Sequence, residues 1–293
     1  MVRTRSLSGT VFDILNYSFL LLIGLVTMYP LWHVICASFS DAKQIAAYNG
    51  LLLWPKDFSL QAYIQMMDHP LVLKSYGNTI FIVVVSSAFS LIMTAICAYV
   101  LSTKNVFWNK YLNIMIMITM FFSGGIVPTY LLVAKWIGLN DSYWALILPQ
   151  AINVYNMIIM KTSFQSIPES LRESAMLDGA GHWRTLFYIV IPLSKSIMAV
   201  MLLYYAVAQW NAWFEASIYL VSRAKYPLQL VLREILIQND TALMSGAGAE
   251  DQAAVGEIIK YAVIVFSMLP ILCVYPFLQK YFTKGVLIGA VKG

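Results

Sequence analysis

The chain reads as an all-α integral membrane protein, a bundle of six transmembrane helices with one charged helical segment held outside the lipid. Three observations predict this. The 293 residues are 60% hydrophobic and only 11% charged, against roughly a quarter charged in soluble domains, and the mean hydropathy is +0.72. Runs without Asp, Glu, Lys or Arg occur at 14–40, 76–103, 111–134, 142–160, 196–214 and 261–279, each close to the ~20 residues a helix needs to cross the hydrocarbon core. Between the fourth and fifth runs lies a polar island holding Glu169, Arg172, Glu173, Asp178, His182 and Arg184, which cannot sit in lipid. The runs are too long for barrel strands, and they do not alternate.

The expected spans are approximately 14–38, 78–101, 111–134, 143–161, 195–221 and 259–280, in one transmembrane domain over 1–293. The first follows Arg3 and Arg5 and is longer than a signal peptide's apolar core, so it should stay as an anchor. With both termini inside, the inner segments carry 11 Lys and Arg and the outer ones 8, together the chain's 19. That is a modest positive-inside bias, and it points to a multi-pass membrane protein with both termini cytoplasmic. The net charge of +5 fits inner-loop bias and anionic membrane lipid, not nucleic acid. Outer loops are expected at 39–77, 135–142 and 222–258. The first contains Trp54-Pro55 and a mildly amphipathic stretch at 60–67, and the last contains a flexible Ser245–Ala249 stretch. In the third span Gly124, Gly125 and Pro128 should break or kink the helix and permit close helix approach. Cys36, Cys97 and Cys273 all fall in apolar runs, without disulfide or metal spacing.

The island, 163–192, predicts a helix–turn–helix. Ser166-Ile-Pro-Glu169 reads as a capping box with Pro in the first turn, and the helix runs to about Leu177. Asp178-Gly179-Ala180-Gly181 forms the turn, with Asp178 able to cap the next helix. A second helix from His182 should stop before Pro192. Leu171, Ala175, Trp183, Leu186 and Phe187 make the apolar side, and Glu173 and Arg172 project outward. From these residues alone, a surface helix resting on its own bundle is as good a reading as a docking element.

Glu173-Ser174-Ala175, then Gly179, then Ile189-Val190-Ile191-Pro192 resembles the EAA loop of binding-protein-dependent ABC-transporter permeases, departing only at Ser174 and Ile191. Phe122–Gly125, Trp210–Phe214 and the tail Tyr281–Gly293 look like the LplC/YtcP-type branch of the carbohydrate permeases related to the maltose-transporter subunits. The resemblance implies that Glu173, Ser174, Ala175, Asp178, Gly179, Ile189 and Pro192 form a coupling element that docks on a cytoplasmic ATPase. It implies a bacterial cell-membrane location, a homologous second permease, two ATPase subunits, an extracytoplasmic binding protein and a carbohydrate cargo. The chain has no phosphate-cradling loop of its own. No cofactor is expected on it, ATP and Mg being used by the partner ATPase, and no catalytic or metal-binding motif occurs.

Polar residues within the spans mark function by default. Gln150, Asn153 and Asn156 recur at spacing three, forming a stripe that lines a sugar path or bonds neighbouring helices. Glu215, near Trp210, Asn211 and Trp213, faces a wet pathway or lies at the outer interface. Aromatic rings beside amides suit sugars, whose C–H faces stack while their hydroxyls bond. The competing classes are an ion-coupled secondary transporter, an intramembrane enzyme and a scaffold. The first would place ion-binding carboxylates near the midplane with repeat symmetry, and Glu215 is a poor candidate for that.

Overall fold

A computed structural model describes residues 7–48, 50–68, 70–103, 106–244, 256, 258–274 and 276. The first residues of the chain, the Ser245–Ala249 stretch and the Tyr281–Gly293 tail lie outside the described residues. The chain forms two compact units, one from 1–70 with 233–269, the other from 71–232 with 270–293.

In the first unit, α1 (Leu7–Ser38) runs 32 residues through Pro30. Its side chains from Val11 to Met28 stand exposed almost without exception, an apolar surface suited to lipid. Asp41 caps α2 (Ala42–Ala46) by accepting from the amides of Lys43 and Gln44. The amphipathic stretch becomes α3 (Gln61–Asp68), which buries Ala62 and Met66. Trp32 donates from Nε1 to the Leu53 carbonyl at 2.8 Å, and the Ser38 and Tyr63 hydroxyls pair at 2.8 Å. The apolar helix α14 (Ile258–Val274), whose residues to Leu269 belong to this unit, adds Ile258 and Ala262 to the core of Ala42 and Ala62.

The second unit is built on α4 (Val72–Ser102), which buries Ser75, Thr79, Ser86, Ser90, Thr94, Ala95 and Ala98 along its length. Small and hydroxylated residues let helix backbones approach closely in a membrane, and α8 (Val154–Gln165) and α12 (Lys195–Trp210) pack on this face. Their shared core holds Ala98, Leu101, Met157, Met160, Phe164, Leu186, Val190 and Met201. The third expected span is broken, as Gly124, Gly125 and Pro128 predict. Helix α5 (Asn109–Phe121) gives way to α6 (Ile126–Tyr130), which continues as a π turn to Trp136. The two halves meet at 113°, and Gly125 takes φ +84°, a conformation open to glycine.

Two other expected spans are interrupted as well. The fourth is a short α7 (Trp144–Ile147) and then α8, with non-helical backbone between them. Leu148 still has helical dihedrals, but Pro149 supplies no amide to continue the ladder, while the Asn153 side chain caps α8 by accepting from the Asn156 amide at 3.1 Å. Gln150, Asn153 and Asn156 are therefore not a stripe on one helix: Gln150 lies in the break, Asn153 at its edge and Asn156 in the first turn beyond. The fifth is α12 and then α13 (Phe214–Tyr219), parted at Asn211–Trp213. Among the described residues, α1 and α4 are the helices long and apolar enough to cross a membrane unbroken, and bent pairs raise the number to four.

Candidate functional site

The two helix breaks face one another. Gln150 donates from Nε2 to Oε1 of Glu215 at 3.1 Å. Beside this pair opens a cavity of about 250 Å³ lined by Ser86, Ser90, Gln150, Asn153, Asn156, Tyr205 and Gln209, with Pro149, Ile152 and Ala208. Non-helical backbone at membrane depth persists only where protein buries it or a wet cavity meets it, and here it meets this cavity. Tyr205 organises the wall. Its hydroxyl pairs with Thr94 at 2.6 Å and accepts from the Asn153 amide at 3.2 Å. Asn156 and Gln209 are buried residues with amide side chains on the lining.

Gln150, Asn153, Asn156 and Glu215 are thus brought together, with Glu215 in a small neighbouring pocket that also touches Gln150 and Gln209. Trp210 and Asn211 are not on the cavity wall. Trp210 is 5% exposed and meets Tyr76 edge-on at 5.9 Å, and Asn211 closes α12 by donating to the Val207 carbonyl at 2.8 Å. Ser86, Ser90, Tyr205 and Gln209 were not singled out from sequence. The α4 hydroxyls at 75, 79, 86, 90 and 94 keep helical spacing and could have been read as one polar face.

Elsewhere in the same unit, Asp141 (φ +55°) binds the 220s loop. It accepts from the amides of Val221 and Ser222 at 3.0 Å each, from the Ser222 hydroxyl at 2.7 Å and from Lys225 Nζ at 2.8 Å. The Lys225 hydrogen bond, then those from Ser222, hold its carboxyl well below the ordinary value.

The polar island folds as α9 (Glu169–Leu177), a turn, and a second helical stretch made of α10 (His182–Thr185), a π turn over Leu186–Val190 and α11 (Ile191–Leu193). Helix–turn–helix and the end at Leu177 are as the sequence predicts. Four details differ. Ser166 does not cap α9: it sits in helical geometry at the end of α8, and its hydroxyl turns back to the Ser163 carbonyl at 2.7 Å. Pro168 occupies the cap position without a side-chain bond, and Asp178 ends α9 while Gly181 precedes α10. The second stretch passes through Pro192, because the widened π turn before it relieves the ring's clash with the preceding turn, and it stops at Ser194, where the next helix leaves at 88°.

The fourth difference concerns direction. Arg172 points inward and is 8% exposed. Its Nη2 donates to the Phe164 carbonyl at 2.7 Å, both Nη atoms lie 3.3 Å from Ser102 Oγ, and its guanidinium sits 5.6 Å from the centre of the Tyr99 ring. The Tyr99 hydroxyl is 3.4 Å from His182 Nδ1, with the donor set by the tautomer. Ala175 and Leu186 are buried, as an apolar side requires, but Leu171, Trp183 and Phe187 are exposed together with Leu177 and Tyr188. Trp183 and Phe187 stack at 6.2 Å. Glu173, Ser174, Asp178, Gly179 and Pro192 are exposed, and Ile189 is half-buried. Gly179 takes φ +82°, the turn conformation expected of it.

Packed broken helices, a polar cavity at the breaks and a helix–turn–helix carrying the EAA spacing define a transport-system membrane component. The chain belongs to the family of binding-protein-dependent transport system inner membrane components, whose model matches residues 82–288. It is 44% identical to the protein LplC of Bacillus subtilis (strain 168), over 98% of this chain and 96% of that one. It is 43% identical to the polygalacturonan/rhamnogalacturonan transport system permease protein YtcP of the same organism, over 98% and 100%. A solved bacterial ABC transporter involved in the import of the acidic polysaccharide alginate superposes with a TM-score of 0.83 at 30% identity, covering 96% of this chain and 100% of the matched one. The resemblance to this permease branch is borne out. The chain is a membrane permease component, not an enzyme.

Proposed function

We propose that this chain is one of two permease subunits in an ATP-driven importer of carbohydrate, an oligosaccharide handed over by an extracytoplasmic binding protein. The observation that carries this reading is the cavity at the facing helix breaks. Its wall offers amides, hydroxyls and a phenol, groups that both donate and accept and so match the hydroxyls of a sugar. A bundle without a polar cargo would gain nothing from exposing Gln150 and Asn153 there. The relatives that handle polygalacturonan, rhamnogalacturonan and alginate support a sugar cargo.

In this reading the six spans stand with both termini in the cytoplasm, segments 39–77, 135–142 and 222–258 face outward, and 163–192 meets one of two ATPase subunits. Exposed Leu177, Trp183, Phe187 and Tyr188 supply the apolar contact, with Glu173 and Asp178 at its rim. Glu215 and Gln150 close the small pocket at the cavity's edge. An ion-coupled carrier is not favoured, given the family.

The test is reconstitution of the complete transporter in proteoliposomes with its binding protein. Labelled di- to pentasaccharides should enter only with ATP on the ATPase side. Uptake that follows a sodium or proton gradient without ATP, or a non-sugar cargo, would overturn the proposal.

A further inference from the structure

We propose that Arg172 is a positioning residue that pins the coupling helix to two of the helices that form the cavity wall, α4 and α8, so that a push on α9 reaches the pathway. The inference rests on the reading of 163–192 as the ATPase-coupling element and adds the route by which motion leaves it. Its basis is where the guanidinium sits. Ser102 is the last residue of α4, and the Phe164 carbonyl is among the last of α8. The closing carbonyls of a helix lack intrahelical partners and carry partial negative charge. One cation therefore meets a closing carbonyl of α8 directly and the last residue of α4 through its hydroxyl, which itself donates to the Tyr99 carbonyl at 2.8 Å. A planar guanidinium with fixed donor directions can do this, while a lysine could reach one acceptor and leave the other.

The same two helices contribute to the cavity, alongside Tyr205, Ala208 and Gln209 of α12. Helix α4 contributes Ser86 and Ser90, and α8 begins at the break with Asn153 and Asn156 on the wall. Tyr99 extends the junction, lying beneath the guanidinium and reaching His182 and Thr185 of the second helix. Both arms of the island are therefore tied to the end of α4. Movement transmitted through a contiguous rigid junction is a physical basis for coupling between distant sites.

The experiment uses the full transporter in nanodiscs, with Cys36, Cys97 and Cys273 replaced by alanine and its ATPase in a form that binds ATP–Mg without hydrolysis. Spin labels at Val100→Cys on α4 and Ser170→Cys on α9 report the junction. In a separate sample, the rate at which a water-soluble maleimide modifies Ile152→Cys reports the cavity. With Arg172 intact, the label distance should stay narrow and unchanged on adding ATP–Mg, while the labelling rate shifts about tenfold, a typical coupling magnitude. Arg172→Met should broaden the distance and abolish the shift with the ATPase still co-purifying, and Arg172→Lys should restore part of both. If Arg172→Met does not reach the membrane, Ser102→Ala decides the matter in the same two assays. An unchanged distance and an intact ATP response in Arg172→Met, or in Ser102→Ala where that is used, overturns the pin. Normal ATPase retention and a normal ATP response in Gly179→Leu would instead overturn the coupling-loop reading beneath it.

Discussion

Gly179 offers a sharp test of the island, because its backbone and its surroundings make separate demands. Its φ of +82° lies in the region that L side chains avoid, yet a Cβ built there meets nothing within 4 Å. Within this chain, a substitution costs conformational strain of about 1–2 kcal/mol and no clash. Strain of that size lowers the population of the docking-competent turn by a factor of about 5–30. Asn tolerates the left-handed conformation better than Ala or Leu. If backbone shape is all that matters, Gly179→Asn should retain ATPase affinity within about threefold, and Gly179→Ala should lose 5–30-fold. If the turn also needs clearance beneath an ATPase, Asn and Leu should both lose more than Ala. Co-purification under titrated ATPase, followed by hydrolysis with and without loaded binding protein, separates these outcomes. Full docking and full stimulation in Gly179→Leu would refute the reasoning altogether.

Glu215→Leu should cut uptake about tenfold with assembly intact, since it leaves the Gln150 amide without its acceptor, whereas Glu215→Gln should do less harm; a hydrogen bond to a charged group contributes roughly 1.5–3 kcal/mol, and the open site favours the lower figure. Unchanged uptake in the leucine variant would return Glu215 to an interfacial role. Asp141→Ala should free the 220s loop and lower the melting temperature. Because the Asp141 carboxyl is held below its ordinary value of 3.8, its contribution is complete above that value and fades only as pH falls through the lowered one; thermal stability from pH 5 to 8 should therefore show no step that Asp141→Ala removes. Maleimide added outside whole cells should label Ala224→Cys and miss Gly181→Cys, and the reverse pattern would invert the proposed orientation.

Much of the frame was legible because its causes are local. Gly124-Gly125 and Pro128 announce the bend in the third span, and the charges of the island force it out of the apolar runs. Glu169–Leu177 was readable as a helix because its end is marked by Asp178-Gly179. The cap was misread since Ser166 followed by Glu169 fits a capping box by spacing, while the backbone at Ser166 is helical and serves the helix before it. Arg172 was misdirected for a different reason. An arginine on a short surface helix is exposed by default, and its acceptors, Ser102 and the Phe164 carbonyl, come from two other helices. The cavity needed the break at Pro149 to meet Ser86 and Ser90 of α4 and Tyr205, Ala208 and Gln209 of α12, and that is a tertiary pairing. Its amides Gln150, Asn153 and Asn156 were nonetheless picked out, because uncompensated polar groups in an apolar run are conspicuous wherever the backbone puts them.

The π turn over Leu186–Val190 has a consequence for insertions and deletions. Such a turn is an α-helix with one residue too many in a single coil. The wider coil takes up that residue locally, so the helical segments on either side keep phase across it, and removing one residue from the stretch should let the helix close up with little change in the azimuth of Trp183 and His182. An added residue finds no such slack: it advances the helix by about 100° and would turn His182 away from Tyr99. A one-residue deletion within 186–190 should therefore be tolerated better than a one-residue insertion, although the two change composition and helix content equally little.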